Sequence, residues 1–212
     1  AKFNMPIVTF IDTPGPDLSQ EAEQRGLGNA IANTMALMAR LDVPSVSVII
    51  GEAGSGGALA LGVADRTLML ENATYSAVSP EEAAEIIFQD VDRADEAAES
   101  MKLTAYDCRD LGIIDTVVPE PPGGAHLDPE EAARQLRRMI VSELVNLQST
   151  TTKKMLTGRY KKYRNIGEYS SYFSAALTRD VNALQNLVSA GARWITRRSA
   201  PTDPLSKPEK PD

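Results

Sequence analysis

The chain has 212 residues, of which 42% are hydrophobic and 24% are charged, values that are ordinary for a globular protein. Its 22 basic and 29 acidic residues give a net charge of −7, which argues against a nucleic-acid partner. The single cysteine and single histidine exclude a disulfide framework, a cysteine-based zinc site and a multi-histidine metal site. No apolar run reaches about 18 residues, so we expect no membrane span and a cytoplasmic location.

The first quarter of the chain predicts a strand, a helix and a second strand. Segment 7–11 is β-branched and apolar, as expected for a buried strand. Apolar residues spaced by three or four predict an amphipathic helix over roughly 20–40, capped by Ser19. Segment 45–50 predicts another buried strand. A βαβ unit of this length implies that the two strands are parallel.

The rest of the chain continues the alternation of strands and helices. Three more strands are predicted, at 66–70, 75–78 and 113–118. Helices are predicted from 80, over 93–101 and 104–111, from 130 to about 147, and over 152–163 and 169–195. The tail from Ser199 has four prolines in 14 residues and is expected to be disordered.

The glycine-rich segment 51–58 carries the most chemistry. It is predicted as a turn between the second strand and a short helix, where glycines let the backbone approach a ligand closely. Free N–H groups of a first helical turn can stabilise an oxyanion. A tight turn in which Gly56 and Gly57 only allow close helix–sheet packing is the alternative. The segment lacks the lysine of a phosphate loop, and Leu59 replaces the last glycine of a dinucleotide fingerprint.

Five segments, in order and spacing, resemble one family: 10–15 (FIDTPG), 23–26 (EQRG), 48–60 (VIIGEAGSGGALA), 75–81 (YSAVSPE) and 119–126 (PEPPGGAH). The family is the carboxyltransferase α subunit of bacterial acetyl-CoA carboxylase, and the resemblance covers roughly residues 2–165. It implies an α/β fold of the crotonase-like (ClpP/crotonase) type, a superhelix of ββα units with C-terminal helices. The first third of the family domain is absent, so we expect either that it has been removed or that another chain supplies it.

The resemblance also implies a reaction and partners. The family transfers the carboxyl group of carboxybiotin, held on a biotin carboxyl carrier protein, to acetyl-CoA to give malonyl-CoA in the first committed step of fatty acid synthesis. The α chain acts with a carboxyltransferase β subunit, typically as α2β2, and holds no metal itself. The expected domains are 1–165, the crotonase-like domain; 166–198, a helical extension; and 199–212, the disordered tail.

The same resemblance implies which residues form the site. The N–H groups of Gly57 and Ala58 are expected to face the ureido oxygen of biotin as the catalytic donors. The biotin-binding wall is expected from Thr13, Pro14, Gly15, Gly54, Ser55 and Gly56. Segment 16–21 (PDLSQE) departs from the family pattern by being polar and acidic. The hypothesis that follows is a changed preference for the acyl-CoA or the carrier.

Two other functions stay open at this point. Ser55 lies where serine peptidases of the same superfold keep their nucleophile, and His126 is the only histidine that could serve as its base. A non-catalytic structural or regulatory subunit is the other possibility, and intact turnover of the complex after substitution of Gly57 or Ala58 would favour it.

Several polar residues have simpler explanations. We expect Asp12 to fix its own loop, Glu81 to cap its helix and Cys108 to be structural, while for Glu52 contact with substrate or an interface partner stays open. Six cations in twelve residues favour a solvated helix face, with a docking patch for CoA phosphates or an acidic carrier as the alternative; they are Lys153, Lys154, Arg159, Lys161, Lys162 and Arg164.

Overall fold

A computed structural model describes residues 2–167. Its five strands are β1 (Ile7–Thr13), β2 (Ser45–Gly54), β3 (Arg66–Leu70), β4 (Thr74–Ser76) and β5 (Thr116–Val118). Its helices are α1 (Gln20–Gln24), α2 (Leu27–Ala39), α3 (Ser55–Gly62), α4 (Pro80–Phe88), α5 (Ala94–Met101), α6 (Ala105–Asp110), α7 (Pro129–Gln148) and α8 (Thr152–Asn165), with a 3-10 turn at Val91–Arg93. The predicted helix over 169–195 and the predicted tail lie outside the described residues.

The five strands form one parallel sheet in the order β1-β2-β3-β5, as the βαβ spacing predicts. The fifth member, β4, pairs with the carboxyl end of β2, where Glu52 lies opposite Thr74 and Gly54 opposite Ser76. The end of β2 therefore contacts β4 instead of β3. This change of neighbour brings three loops together at the point where β2 passes into α3.

The core lies on both faces of β2 and β3. Val46, Val48, Ile49 and Leu68 are fully buried, because helices cover both faces of this parallel sheet. One of these helices is α7, which packs side chains spaced by three or four against the core: Leu136, Met139, Ile140, Leu144 and Leu147. The element types and the α/β class predicted from periodicity are confirmed.

Polar side chains cap the N-termini of several helices, α1 and α4 among them. Ser19 accepts a hydrogen bond from the N–H of Ala22, as predicted. Before α4, Ser79 and Glu82 form a reciprocal capping box, with the Ser79 N–H donating to the Glu82 carboxylate at 3.1 Å. The prediction that Glu81 caps this helix is wrong by one residue, because the third helical position is the one that reaches back to the cap.

Two boundaries differ from the sequence prediction. The helix predicted over 20–40 is divided into α1 and α2 at Gly26, which has φ +80° and ends the first helical segment. The second strand continues to Gly54 instead of ending at Ile50, so residues 51–54 are strand and not turn. The extension depends on pairing with β4, which local sequence does not reveal.

Helix α8 is attached to the domain by buried charge. Arg159 is 2% exposed, and its guanidinium donates to the Asp65 carboxylate at 2.6 and 2.9 Å and to the carbonyls of Met38 and Leu41 at 2.8 and 2.9 Å. Lys162 pairs with Asp115 and donates to Thr67. Both predictions for the cation cluster, a solvated face or a docking patch, are therefore wrong for these two residues.

Neither a membrane-spanning helix nor a metal site is found among the described residues. Within residues 2–167, no helix is both long and apolar enough to cross a membrane. In the same part of the chain, no group of three or more His, Cys, Asp or Glu side chains has the arrangement of a metal site.

Candidate active site

The site is built around the sharp turn at which β2 becomes α3. Gly54 is the last strand residue and the N-cap of α3, and no side chain caps this helix. Ser55 follows with φ +53°, a left-handed conformation that non-glycine residues adopt rarely. The strained residue turns the chain so that the first turn of α3 starts directly at the end of a buried strand.

The loop after β1 crosses directly over this turn. A Cβ at Gly54 would lie less than 3.0 Å from the Pro14 carbonyl oxygen, a separation that real Cβ atoms essentially never show. A Cβ at Gly57 would lie 3.2 Å from backbone atoms of Gly15 and Pro16. Gly54 and Gly57 therefore have no side chain because another backbone occupies that space. By contrast, a Cβ at Gly56 would meet only Ile31, at an ordinary 3.8 Å.

Two polar side chains at the end of β1 fix the backbone around the turn: Thr13 bonds the loop, and Asp12 bonds strand β2. The Thr13 hydroxyl accepts from the Gly15 N–H at 3.2 Å and lies 3.1 Å from the Gly15 carbonyl, to which it can donate. Asp12 accepts from the N–H of Glu52 at 3.0 Å. Asp12 thus bonds the neighbouring strand and not its own loop, which corrects the prediction. Glu52 itself is exposed, and it lines neither of the two cavities that adjoin Ser55.

The start of α3 presents free backbone donors. In a helix with N-cap Gly54, the N–H of Ala58 is the first to have an acceptor one turn earlier, and Ala58 is fully buried. The N–H groups of Ser55, Gly56 and Gly57 precede it and lack intrahelical acceptors. The geometry accordingly favours Gly56 and Gly57 over Ala58 as donors to a ligand.

Two cavities meet at Ser55. The first, about 410 Å³, lies beside α3 and β4 and has no charged side chain among the described residues that line it: Ser55, Gly56, Leu59, Tyr75, Ser76, Ala77 and Ile113. The second, about 460 Å³, lies between the loop after β1 and helix α4; it is lined by Pro14, Gly15, Pro16, Leu18, Ser55, Val78, Ser79, Glu82, Glu85 and Ile86. Of the predicted wall residues, Pro14, Gly15, Ser55 and Gly56 line these cavities, whereas Thr13 and Gly54 line neither. Gly54 lies against the Pro14 carbonyl behind them.

Sequence comparison assigns the whole described region to one family. The family model described as acetyl co-enzyme A carboxylase carboxyltransferase-like matches residues 1–167. The chain belongs to this family. Acetyl-coenzyme A carboxylase carboxyl transferase subunit alpha of Heliobacterium modesticaldum is 53% identical over 167 residues, which are 79% of this chain and 50% of that protein. The protein of the same name from Staphylococcus aureus is 49% identical over 168 residues, 79% of this chain and 54% of that one. The chain therefore spans about half the length of these curated relatives.

Solved structures support the fold assignment. Transcarboxylase 12S, solved with hydrolysed methylmalonyl-coenzyme A bound, matches 69% of this chain and 27% of its own at 25% identity with a TM-score of 0.57. A Pseudomonas malonate decarboxylase hetero-tetramer in complex with malonate matches 84% of this chain and 66% of its own at 20% identity with a TM-score of 0.60. The crotonase-like fold implied by the sequence motifs is confirmed.

In the part of this carboxyltransferase-family domain that the structure describes, no histidine or lysine lies beside Ser55. Among the described residues its hydroxyl makes no hydrogen bond to a histidine or lysine, and neither of its two cavities is lined by one. His126 instead lines a separate depression with Glu71, Asn72 and Glu120. The described geometry gives no support to a Ser55–His126 peptidase pair.

Burial keeps two other ionisable groups of the family domain neutral. Burial, with smaller contributions from Tyr163 and Cys108, raises the pKa of Tyr75 to about 12, so its hydroxyl is protonated at the wall of the first cavity. Burial, with a smaller contribution from Asp107, raises the pKa of Cys108 to about 11. Cys108 is 1% exposed and lies in the core, as its structural interpretation requires.

Sequence reasoning assigns no site role to most of the residues that line the cavities, among them Leu59, Tyr75, Ile86 and Ile113. Leu59 and Tyr75 lie within the family-like segments, whereas Ile86 and Ile113 lie outside them. Leu59 lies three residues after Gly56, about one helical turn, which is a signal that it faces the same side of α3 as Gly56. Ile113 and Ile86 come from distant elements, and only the sheet order brings them to Ser55.

Proposed function

We propose that this chain is an α-type carboxyltransferase component that transfers the carboxyl group of carboxybiotin, held on a carrier protein, to acetyl-CoA to give malonyl-CoA. The observation that carries the proposal is the β2–α3 turn of this family, with its strained Ser55 and its uncapped glycine N–H groups. The curated relatives named as the α subunit support it, as does the resemblance to a transcarboxylase.

The chemistry requires polarised carbonyl groups and no protein nucleophile. When biotin is bound, it supplies the carboxyl group, and its freed ring nitrogen can act as the base toward acetyl-CoA. The residues of this chain bind and polarise: the N–H groups of Gly56 and Gly57, with Ala58 behind them, stabilise negative charge on the ureido oxygen. Removing one such donor typically costs roughly 3 kcal/mol of transition-state stabilisation.

The first cavity suits the ring of biotin. Its described lining holds no charged side chain, and Leu59 and Ile113 offer apolar contact to a compact uncharged ring. The Tyr75 hydroxyl, kept protonated by burial, is a neutral group beside it. Pro14 and Gly15 line the second cavity, and the Thr13 hydroxyl fixes this turn through its two hydrogen bonds with Gly15.

The proposal includes a partner and a compartment. Neither cavity is lined by a lysine or arginine among the described residues, so CoA phosphates have no counter-charge there. A β-type subunit that holds acyl-CoA completes the site, in an α2β2 assembly in the cytoplasm. Biotin arrives on a separate carrier protein.

The test is the reverse reaction. Malonyl-CoA and the free biotin derivative biocytin are incubated with the chain, with a co-purified β-type partner, or with both, and loss of malonyl-CoA is followed. The expected result is loss that requires the chain, the partner and biocytin together. A stable complex without turnover would contradict the catalytic proposal and favour a structural subunit. Labelling of Ser55 by a serine-reactive probe in that case would point back to a peptidase.

A further inference from the structure

We propose that Asp12 is a positioning residue for carboxyl transfer: its carboxylate fills a bulge between β1 and β2 and so holds the loop after β1 in register with the β2–α3 turn. This role rests on the proposed function and adds a residue that acts through the backbone around the site. Asp12 lies directly before Thr13 and lines neither of the two cavities that adjoin Ser55.

The pairing between β1 and β2 is irregular near the carboxyl end of β1. Ile11 lies opposite Ile49 and Thr13 lies opposite Ala53, so two steps along β1 correspond to four steps along β2. Regular backbone pairing is interrupted at such a bulge. Strand β2 also changes its other neighbour here, from β3 to β4. The register of the chain beyond the bulge therefore depends on a contact made within it.

The Asp12 side chain makes that contact. Asp12 is the β1 residue between the two regular pairs, and its Oδ1 accepts from the N–H of Glu52 at 3.0 Å. A carboxylate is a stronger acceptor than a backbone carbonyl, and here it replaces the strand-to-strand bond that the bulge interrupts. The carboxylate thus ties the end of β1 to β2 directly before the next regular pair, which Thr13 makes with Ala53.

Gly51 is the counterpart of Asp12 on β2. A Cβ added to Gly51 would lie 2.5 Å from the Asp12 Oδ1 and 3.0 Å from the Asp12 Cγ. The φ of Gly51 is not in the left-handed region, so its backbone conformation does not require glycine. Glycine weakens a strand interior and often marks a place where another group approaches closely. The missing side chain at Gly51 therefore makes room for the Asp12 carboxylate.

The loop that Asp12 positions is the one that contacts α3. Backbone atoms of Pro14–Pro16 occupy the space beside Gly54 and Gly57. A shift of the end of β1 along β2 moves this loop against the helix start that carries the proposed N–H donors. A displacement of about 1 Å at a reacting site lowers turnover by up to about a hundredfold. Loss of the Asp12 contact is therefore expected to lower kcat, although no residue that lines either cavity is changed.

The test uses the complete complex of this chain with its β-type partner, in the reverse reaction with malonyl-CoA and biocytin. Asp12→Ala removes the acceptor, Asp12→Asn keeps an acceptor oxygen, and Gly51→Ala forces the carboxylate off the Glu52 N–H. The double variant of Asp12→Ala with Gly51→Ala measures the coupling of the two positions. Because Gly51→Ala leaves Asp12 in place, it tests the same contact if Asp12→Ala forms no complex. Asp42→Ala is the control, since it removes an exposed carboxylate near the start of β2.

We expect kcat to fall about tenfold in Asp12→Ala and in Gly51→Ala, and no further in the double variant, because each change breaks the same contact. Asp12→Asn and Asp42→Ala should keep a kcat close to that of wild type, and the KM for malonyl-CoA should not change in any variant. Losses that multiply in the double variant would overturn the positioning role. So would an equal loss of kcat in Asp12→Asn and Asp12→Ala.

A second measurement does not depend on turnover. Exchange of the Glu52 amide hydrogen, followed by NMR on the full chain, should be about tenfold faster in Asp12→Ala and Gly51→Ala, because the N–H then lacks its acceptor. Asp12→Asn and Asp42→Ala should keep the wild-type exchange rate. Unchanged exchange in Asp12→Ala would overturn the inferred contact, whereas absence of turnover by the wild-type complex would be a failure of the proposed function itself.

Discussion

The β2–α3 turn and helix α8 are both fixed in place, but by opposite means. At the turn, Gly54 and Gly57 let the backbone of Pro14–Pro16 lie in contact with α3, and no charged side chain is involved. At α8, one guanidinium, that of Arg159, holds a carboxylate and several main-chain carbonyls inside the domain. The turn leaves N–H groups free for a ligand, whereas at α8 every nitrogen of the Arg159 guanidinium donates to an acceptor within the protein.

Gly54 and Gly57 matter because they have no side chain, whereas Arg159 matters because of its charge. At the turn, adding a single methyl group displaces backbone, so the expected loss falls on the reaction. At α8, removing a charge leaves its partner buried and unpaired, so the expected loss falls on stability. Variants at the turn should therefore lose activity, and variants at α8 should lose stability.

The largest loss of stability is expected for Arg159→Met. This change leaves the Asp65 carboxylate, about 3% exposed, without its cation, and removal of one partner of a buried pair costs about 3–5 kcal/mol. Denaturant unfolding of the full chain measures the loss. Lys153→Met, on an exposed position of the same helix, should change the free energy of unfolding by less than about 0.5 kcal/mol. Equal free energies of unfolding for the two variants would contradict a stabilising role of the Arg159–Asp65 ion pair.

A smaller loss is expected at the start of α8. Thr151 is the N-cap, and its hydroxyl accepts from the N–H of Lys154 at 3.4 Å. Thr151→Ala should therefore lower the free energy of unfolding by about 1 kcal/mol or less. Thr152→Ala, one residue inside the helix, is the matched control and should be close to neutral. A larger loss in the control than in the cap variant would contradict the assigned helix start.

The smallest effect is expected from chemistry at Cys108. Because burial raises its pKa to about 11, the thiol is protonated below that pH, and at pH 8 roughly one molecule in a thousand carries the thiolate. Iodoacetamide at pH 8 should leave the folded chain unmodified and label it once it is unfolded. Mass spectrometry reads out both states. Rapid labelling of the folded chain would show that Cys108 is more accessible than its 1% exposure implies.

Local sequence is sufficient for elements whose boundaries depend on their own residues. The strand predicted at 66–70 has those limits in the structure, because the charged residues Asp65 and Glu71 flank it and its last three residues are apolar. The cap at Ser19 is likewise a local interaction. The glycine segment also predicts where the candidate site lies, because together with four other segments it resembles the family whose model matches residues 1–167.

Contacts between residues far apart in the sequence explain the features that local sequence does not predict. The extension of β2 to Gly54 depends on β4, and the burial of Arg159 depends on Asp65, which lies 94 residues earlier. The spacing of cations along a helix is the same whether they lie on an exposed face or form a buried ion pair such as Arg159–Asp65. The second cavity is formed by a loop and a helix from different parts of the chain, so its lining could not be read from either.

The most direct test of the central claim compares Gly54→Ala with Gly158→Ala in the reverse carboxyl-transfer assay with the β-type partner. Gly54→Ala forces the Pro14 carbonyl away from the turn, and a displacement of about 1 Å at a reacting site can lower turnover about a hundredfold. Gly158 lies in α8 and lines neither cavity, and an added Cβ there meets no atom within 4 Å, so turnover of Gly158→Ala should stay within a few-fold of wild type. The account predicts this separation in two complexes that assemble equally well. Equal turnover of the two variants would contradict it.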